Sequence, residues 1–556
     1  MKTKHHNQHK QISMKKINLV IICFTLLIVS SCKKLLDEKL VSSVNDEYLN
    51  SKAGFEDAVK ATYSSLRNFY ATERGMTLTV FGTDTYTRGS DGSWKFVNDY
   101  TSQLDARTGF VTEVWNEFYK AINTANSVVG RADKVAGFDP VLKDRRVAEA
   151  RFLRAQYYFI LVQMFGPVHL TLQENTAAIS TASRAPPADV YKAIIADLEF
   201  AISKLEPDIK KTDYGRATKG AAEHLLARVY LTRASSSAKE ANDYTQAARY
   251  AKNVINNYAF KLLPDYAKVF EQGSGEVNDE VILAVQYTSD PLTNSTGNRA
   301  HLYFLMEYDV QPGMQRDVAN GRPFKRFMPT SFTLGLWNRS NDSRYDKNFK
   351  SVFYCNKPGT YTINGRSVTL ASGDTAIWLP GVELAASVIA AKNYQVITPS
   401  KYTPKLYPSL TKFLDPLRPD RTTEAGSRDF LAYRLAETYL IAAEASMYAG
   451  NLVDAVSFVN KVRRRAAYPG KELLMEITPA DLNIDFILDE RDRELLGEQL
   501  RWFDLTRTGK LIERVKKYNP EAAPNIKDFH ALRPIPQSQI DLTTGDATAF
   551  PQNTGY

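Results

Sequence analysis

The segment 428–466 constrains the fold most, because it predicts two antiparallel helices joined by a tight turn. Its first half carries small and apolar residues at helical spacing: Leu431, Leu435, Tyr439, Ala442 and Ala443. Gly450 and Asn451 interrupt the pattern, where a left-handed residue and a new helix cap are needed. The second half carries a valine stripe and ends in cations: Val453, Val456, Val459, Val462, Arg463, Arg464 and Arg465. Two such helices cannot each bury a face alone, so the pair predicts similar pairs stacked on it.

Other segments show the same period and predict further helices: 51–70, 112–129, 141–165, 187–205, 218–232 and 244–257. Gly166 and Pro167 end the longest of them, because a helix does not continue through that pair. Together with 428–466, these segments give about four helix–turn–helix units similar to tetratricopeptide repeats. The predicted fold is therefore mainly α, with these units as its scaffold.

Two long segments lack helical spacing and are rich in glycine and aromatic residues: 75–108 and 271–427. Loops of this length are uncommon unless they are functional, and their aromatic content argues against disorder. In the second, 281–287 predicts a short strand and Asn364-Gly365 predicts a turn. The sequence thus predicts an irregular loop and short-strand lobe inserted before the last repeat. Beyond that repeat, Thr478 predicts the cap of a helix that continues as far as Glu498.

The amino terminus predicts a lipoprotein signal peptide. A basic start at 14–16 precedes an apolar run at 19–29, which is too short to span a bilayer, since spanning takes roughly twenty residues. The motif VSSC at 29–32 resembles a bacterial lipobox, in which cleavage precedes a cysteine that is then acylated. An ordinary signal peptide followed by an incidental cysteine is the alternative. We expect three segments: an upstream extension at 1–13, a signal peptide that ends at residue 31, and a tether at 32–50 that begins with lipidated Cys32.

Composition and charge argue against several classes of function. The net charge is +9, but lysine and arginine are scattered, so nucleic-acid binding is not predicted. Of three cysteines, only Cys355 lies in the body of the chain, which gives no disulfide framework or cysteine metal site. Histidines are sparse, and the motifs of phosphate-binding loops and nucleophile elbows are missing from the sequence. We predict no cofactor; a structural calcium ion is conceivable in an Asp-rich loop, but no EF-hand ladder supports it.

The densest charged segment is 489–501, in which Glu490, Glu494 and Glu498 recur every four residues. A glycoside hydrolase needs two carboxylates that flank a sugar from opposite sides, about 5–10 Å apart. Neighbours on one helix face cannot flank a bond in this way. Ion pairing with arginines of the same or a neighbouring repeat explains the carboxylates more simply: Arg491, Arg493 and Arg501. The sequence therefore predicts a protein that is not an enzyme.

Several segments together resemble the SusD/RagB family of outer-membrane nutrient-uptake lipoproteins: 148–170, 244–270, 278–286, 434–466, 487–510, 532–536 and 552–556. They fall in order along the mature chain, and the VSSC motif lies where the family has its lipobox. The sequence departs from the family pattern at Thr554, where proline is usual, and at Gln499, where glycine often precedes the Arg-Trp pair. On this basis the body divides into three predicted parts: a helical-repeat region at 51–270, a ligand-facing lobe at 271–427, and the last repeat with a closing segment at 428–556.

The resemblance implies a SusD-like fold and a non-catalytic glycan-binding protein, lipid-anchored in the outer membrane and facing outward from the cell. It also implies a SusC-like, TonB-dependent barrel transporter as partner, an oligosaccharide as ligand, and the inserted loops as the ligand face. A pyranose stacks its C–H face on an aromatic ring while polar side chains bind its hydroxyl rim. By that composition we predict these ligand-binding residues: Asp84, Tyr86, Arg88, Trp94, Arg299, Tyr303, Tyr308 and Trp337. The other tryptophans are assigned to structure: Trp115, Trp378 and Trp502.

Other functions remain open at this level. A helical-repeat lipoprotein that binds only proteins predicts no glycan binding, and no loss of ligand when Trp94 or Trp337 is changed. A glycoside hydrolase predicts turnover that one Glu or Asp substitution abolishes. Capture of a peptide or glycopeptide uses the same architecture with a different ligand.

Overall fold

The structure, a computed structural model, describes residues 45–177, 179–207 and 213–556. The chain divides into two compact units, Met1–Leu49 and Asn50–Tyr556. In the first unit the described residues include a one-turn helix, Asp46–Leu49. The predicted signal peptide, Cys32 and most of the predicted tether lie outside the described residues.

The helices of the second unit are, in chain order, α1 Lys52–Ser64, α2 Glu73–Val80, α3 Lys95–Asp99, α4 Gly109–Arg131, α5 Pro140–Phe165, α6 Pro187–Lys204, α7 Lys219–Arg233, α8 Asp243–Asn257, α9 Ala300–Tyr303, α10 Ser331–Leu334, α11 Arg344–Asn348, α12 Ala386–Ala390, α13 Leu435–Tyr448, α14 Leu452–Ala466, α15 Ile484–Leu495, α16 Arg501–Arg507, α17 Leu511–Tyr518 and α18 Gln537–Leu542. Short 3₁₀ turns join several of them, including Ser65–Asn68 directly after α1.

The strands are short: β1 Tyr86–Arg88, β2 Val281–Val285, β3 Phe327–Pro329, β4 Phe349–Lys350, β5 Val352–Tyr354, β6 Gly359–Ile363, β7 Arg366–Leu370, β8 Thr375–Trp378, β9 Gln395–Val396, β10 Ser409–Leu410 and β11 Phe430–Arg434. They form small separate sheets in the order β1-β3, β10-β4, β11-β2, β5-β8-β9 and β6-β7. The predicted Asn364-Gly365 turn closes the β6–β7 hairpin, with both residues at positive φ (50° and 75°), as a tight hairpin turn requires. Strand content is thus confined to small local lobes.

The long helices form one continuous stack. Along the chain α1 packs on α4, α4 on α5, α5 on α6, α6 on α7 and α7 on α8; α8 then packs on α13, and α13 on α14. Helix α5 lies inside this stack and is buried along most of its length. Asp139 caps its start by accepting the Leu142 N–H at 2.8 Å, and the helix ends at Gly166, whose φ is 69°. The prediction of a mainly α fold with small strand lobes is confirmed, and the tetratricopeptide assignment stays a prediction.

The strand-rich lobe has a small core of its own. Its buried side chains include Met306, Tyr308, Phe353, Ile377 and Tyr407. A much larger cluster fills the helical stack and extends to the strands β2 and β11. The helical scaffold and the strand-rich lobe are therefore each held by their own apolar packing.

Part of the segment 428–466 differs from its prediction. Residues Phe430–Arg434 are strand β11, and the helix begins only at Leu435. Strand β11 pairs antiparallel with β2, so that Phe430 lies opposite Val285 and Arg434 opposite Val281. The prediction that Leu431 belongs to the helix is therefore wrong. Its apolar neighbours suit a buried strand as well as a helix, and the pairing partner lies far away in the sequence.

Two further helix boundaries also differ from their predictions. Thr478 and Asp481 form a local turn, and α15 starts at Ile484 behind the Asn483 cap, which accepts the Phe486 N–H. Because α15 ends at Leu495, Glu498 lies beyond the helix on which it was predicted.

In the first irregular segment, 73–80 forms helix α2 although helical spacing is weak there. Thr72 supplies the missing signal as the cap of α2.

The charged segment of α15 takes part in a buried ion network that joins the last repeat to the strand-rich lobe. Arg434 contacts Glu494 and Glu498 at 2.7 Å and Glu280 at 3.1 Å. Arg344 contacts Glu490 at 2.8 Å and Glu494 at 2.9 Å. We call this set the ion network: Glu280, Asp342, Arg344, Lys412, Arg434, Arg465, Glu490, Glu494 and Glu498. Ion pairing as the explanation of these carboxylates is confirmed. Of the three predicted partners, Arg493 pairs with Glu490, whereas Arg491 pairs with Asp504 and Arg501 with Asp84, and the other cations come from other elements.

The pKa values of Glu490 and Glu494 also argue against a role for these two carboxylates as a general acid. Burial alone would raise the pKa of Glu490, but Arg344, Arg463 and Arg493 outweigh it and lower the pKa to about 2. Arginines likewise lower the pKa of Glu494 against the effect of burial. A general acid of a glycoside hydrolase needs a raised pKa, so these groups are suited to structure.

Candidate ligand-binding surface

The short strands β1 and β3 bring the two predicted ligand loops together. They pair antiparallel, with Tyr86 opposite Pro329 and Arg88 opposite Phe327. The contact continues beyond the strands, where the Gly89 N–H donates to the Arg326 carbonyl at 2.8 Å. Gly92 fits against the Arg326 side chain, since a Cβ there would lie 2.7 Å from Arg326 Cδ. Residues 86–92 are therefore in direct contact with residues 325–329.

We call the region around this contact the junction surface and define it by Arg88, Asp91, Trp94, Lys95, Asp99, Phe110, Arg299, Arg322, Phe324, Arg326 and Glu424. Its residues come from the loop between β1 and α3, the start of α4, the segment around α9 and β3, and the loop before β11. No single sequence segment contains it.

An aromatic platform stands at one side of the junction surface. The half-buried indole of Trp94 stacks on the ring of Phe110, with centroids 3.7 Å apart and planes at 22°. Phe96 contacts the same indole in a tilted arrangement at 5.6 Å. Packing of this kind fixes the Trp94 ring before any ligand arrives, which lowers the entropy cost of stacking on it.

Polar groups lie in the same segment of the chain as this platform. The Arg88 Nε lies 3.2 Å from the Asp99 carboxylate, with the Arg88 side chain 42% exposed. The Asn98 amide also donates to that carboxylate at 3.0 Å. Burial raises the pKa of Asp99, against the opposing effects of Asn98 and Arg88. Lys95 donates to the Ser90 carbonyl at 2.8 Å. An aromatic face beside oriented donors and acceptors is the arrangement that recognises a sugar ring and its hydroxyls.

The other side of the junction surface carries three arginines around one ring. The guanidiniums of Arg299, Arg322 and Arg326 lie 6.0, 5.2 and 5.2 Å from the centroid of the Phe324 ring. Glu424 pairs with Arg299 and Arg322, and Glu73 pairs with Arg326 at 2.9 Å. The carboxylates compensate the charge and fix the orientation of the guanidiniums, whose remaining N–H groups suit hydroxyl acceptors.

Asp84, just before β1, connects the junction surface to the helical part of the protein. This fully buried carboxylate accepts from Arg501 at 2.7 and 2.6 Å and from Arg514 at 2.6 Å. Burial alone would raise the pKa of Asp84, but Arg501 and Arg514 outweigh it and lower the pKa. Asp84 thereby ties the start of β1 to α16 and α17.

Five of the eight predicted ligand-binding residues are buried and offer no face to a ligand: Asp84, Tyr86, Tyr303, Tyr308 and Trp337. Each has a structural role that explains its burial. Tyr86 packs on Phe304, and Tyr303 packs on Phe327. Tyr308 donates to the Gly321 carbonyl at 2.6 Å, and Trp337 packs edge-on against Phe349. These five predictions are corrected by the structure. Segments with little regular structure bury their aromatics to gain a core, and composition does not distinguish those rings from exposed ones.

Arg88, Trp94 and Arg299 remain candidates, and the structure brings them onto the junction surface. Sequence reasoning missed several members of that surface: Phe110, Arg322, Phe324, Arg326 and Glu424. The run RPFKR at 322–326 was an available signal, because it places an aromatic ring between closely spaced cations. Phe110 gave no such signal, since it reads as an ordinary helix residue. Trp115 and Trp502 are buried, in line with their structural assignment.

Comparison with known proteins identifies the family. Residues 279–556 match the family model described as the SusD family. The chain belongs to the SusD family. Residues 35–231 also match a model described as starch-binding and associating with the outer membrane. SusD-family proteins are non-catalytic binding proteins, so the prediction of a SusD-like glycan-binding protein that is not an enzyme is confirmed at this level.

SusD relatives match along nearly the whole chain. The SusD-like protein P2 of Formosa agariphila is 26% identical over 566 residues, which cover 98% of this chain and 100% of that protein. The starch-binding protein SusD of Bacteroides thetaiotaomicron is 24% identical, over 84% of this chain and 80% of that protein. A solved laminarin-binding SusD-like protein superimposes with a TM-score of 0.69 at 23% identity, over 91% of this chain and all of that one. The SusD-like architecture is thus established.

Two further observations concern the membrane and metals. Across residues 45–177, 179–207 and 213–556, no helix is both long and apolar enough to cross a bilayer. In the same described residues, His, Cys, Asp and Glu side chains form no group of three or more that is suited to a metal ion.

Proposed function

We propose that this SusD-family protein is a lipid-anchored, cell-surface-exposed component of the outer membrane that captures an oligosaccharide on the junction surface. The bound glycan is then delivered to a SusC-like TonB-dependent transporter. The observation that carries the proposal is the half-buried Trp94 indole, which is stacked on Phe110 in the segment that also holds the Arg88–Asp99 ion pair. The laminarin-binding and starch-binding relatives support a glycan as the ligand class.

Capture on such a surface is expected to be weak. At roughly 0.3 kcal/mol per ligand heavy atom, about twenty engaged atoms give ~6 kcal/mol, a dissociation constant of tens of micromolar. Weak binding suits a protein that must release its ligand to a transporter.

Replacing Trp94 with alanine is expected to weaken oligosaccharide binding at least tenfold, about 1.4 kcal/mol, because the aromatic platform is lost. Isothermal titration against a panel of neutral polysaccharide fragments measures the effect on the fragment that the unaltered protein binds. Trp378→Ala is the matched control, since that half-buried tryptophan lies on β8 outside the junction surface. Equal losses in both variants, or glycan binding that Trp94→Ala leaves intact, would contradict the assignment. Binding of peptides in place of glycans would show that the junction surface captures peptides.

The lipid anchor is tested at Cys32, for which only sequence supports the proposal. Cys32→Ser is expected to abolish acylation, so that the chain accumulates as an uncleaved precursor or leaves the outer-membrane fraction. Metabolic labelling with palmitate reports acylation, and membrane fractionation reports attachment to the outer membrane. Cys23→Ser is the control within the same signal segment. Unchanged labelling and fractionation of Cys32→Ser would refute the anchor. Co-purification of a barrel transporter with the tagged full chain tests the delivery step.

A further inference from the structure

A second cleft shares no residue with the junction surface. It lies between the end of α1, the turn Ser65–Asn68 and the last residues of β2, and it encloses about 420 Å³. Its wall includes Lys60, Tyr63, Leu66, Arg67, Arg216 and Val285. A volume of this size falls within the range of small-molecule sites.

The charged side chains that line this cleft are all cations. Lys60, Arg67 and Arg216 line it, and no aspartate or glutamate is among the described residues that do so. Lys60 pairs with Asp57 at 3.1 Å on the exposed surface. Arg216 pairs with Glu149 at 2.7 Å and lies 3.7 Å from Asp213 and 3.8 Å from Glu56. These carboxylates lie outside the cleft wall, but they offset much of the charge of Lys60 and Arg216.

Arg67 differs from the other two cations in its partners. Its Nη1 donates to the Thr293 carbonyl at 2.7 Å, and within the described chain no carboxylate lies within ion-pair distance of it. A guanidinium has five N–H donors in a planar fork, so this single bond positions Arg67 and leaves donors for a ligand. That fork matches a carboxylate or a sulfate through two parallel hydrogen bonds.

The rest of the wall suits a sugar ring. Tyr63 accepts the Ala217 N–H at 2.8 Å through its hydroxyl, and Tyr287 donates to the Tyr70 carbonyl at 2.6 Å, so both rings are held in place. Leu66 and Val285 add apolar surface beside them. Apolar walls next to fixed polar groups accommodate the C–H face of a saccharide and the hydroxyls around it.

We propose that this cleft binds an anionic saccharide unit, one that carries a carboxylate or a sulfate, with Arg67 as its main counter-charge. The inference rests on the proposed function, because the unit is part of the glycan that the protein captures. Carboxylated and sulfated sugars share this chemistry, and the experiment separates them.

The test titrates the full chain in detergent with three probes: an oligogalacturonate, a sulfated galactan oligosaccharide and a neutral galactan oligosaccharide. Arg67→Met is expected to weaken binding of at least one anionic probe tenfold or more and to leave the neutral probe unchanged. Arg67→Lys is expected to restore part of the affinity, since it keeps the charge without the fork. Added NaCl is expected to weaken the anionic interaction selectively. Arg249→Met, at an exposed arginine of α8, is the control.

The outcomes separate this inference from the proposed function. Anionic binding that depends on Arg67 and persists in Trp94→Ala supports the second site. Anionic affinities that are equal in Arg67→Met and unaltered protein, or anionic probes that do not bind, overturn it. Glycan binding that still depends on Trp94 would then leave the proposed function standing. Conversely, Arg67-dependent binding without any Trp94-dependent glycan would preserve this site and overturn the junction surface.

Discussion

Replacing Arg434 with methionine is expected to destabilise the protein by about 3–5 kcal/mol, because it removes a buried cation from between three carboxylates. Arg434 is 1% exposed and contacts Glu280, Glu494 and Glu498. Those carboxylates would keep charges that water cannot reach. Since natural domains have a total stability of about 5–15 kcal/mol, this single change approaches complete unfolding. Urea unfolding followed by circular dichroism measures the difference.

Arg464→Met is the control for this experiment. Arg464 lies on the same last repeat and pairs with Glu476, but half of its side chain is exposed. Exposed ion pairs contribute about 0–1 kcal/mol, so the control is expected to unfold almost like the unaltered protein. Similar losses in the two variants would show that the ion network stabilises the fold no more than a surface pair.

The second large effect is expected from Asp84→Asn, which keeps the shape of the side chain and removes its charge. Arg501 would then be buried without its ion-pair carboxylate, while Arg514 would keep Asp485 and Asp489, at a cost of about 3–5 kcal/mol. Because Asp84 leads into β1, we also expect weaker glycan binding at the junction surface. Thermal unfolding measures the first effect, and titration well below the melting temperature measures the second.

The pH dependence of this variant gives an independent test. The pKa of Asp84 is lowered in the folded state, so its stabilisation is fully present above its unfolded pKa, about 3.9, and is lost as the pH falls through the folded value. The stability difference from Asp84→Asn should therefore shrink in acid. Near neutral pH it also depends on Asp492, because burial and the Asp84 charge raise the pKa of that carboxyl to about 7. Asp91→Asn is the control, since Asp91 is largely exposed and lies 3.6 Å from Arg326. A difference that grows in acid would contradict the assigned ionisation of Asp84.

The sequence predicted the helices of the stack because their signals are local. The 3.6-residue period and the caps gave 112–129 and 141–165, close to the observed Gly109–Arg131 and Pro140–Phe165. Prediction failed where a distant segment decides the conformation. Phe430–Arg434 became a strand because it pairs with Val281–Val285, about 150 residues earlier in the chain.

The ion network also shows that local sequence patterns do not identify partners that are distant in the sequence. The spacing of Glu490, Glu494 and Glu498 indicated structural pairing, but most of the partners come from elsewhere. Arg344 reaches Glu494 across 150 residues and Arg434 reaches it across 60. A helix pattern shows which residues share a face, whereas tertiary packing decides which element covers that face.

The sequence by itself determined the mainly helical architecture, the family and the kind of surface to expect, because periodicity, turn chemistry and motifs are short-range properties of a chain. Only the tertiary structure decided which aromatics are exposed. It buried Tyr303 against Phe327 and Trp337 against Phe349, and it left Trp94 half-buried in the loop that follows β1. Burial is decided by long-range contacts, which differ between residues of the same type in segments of similar composition.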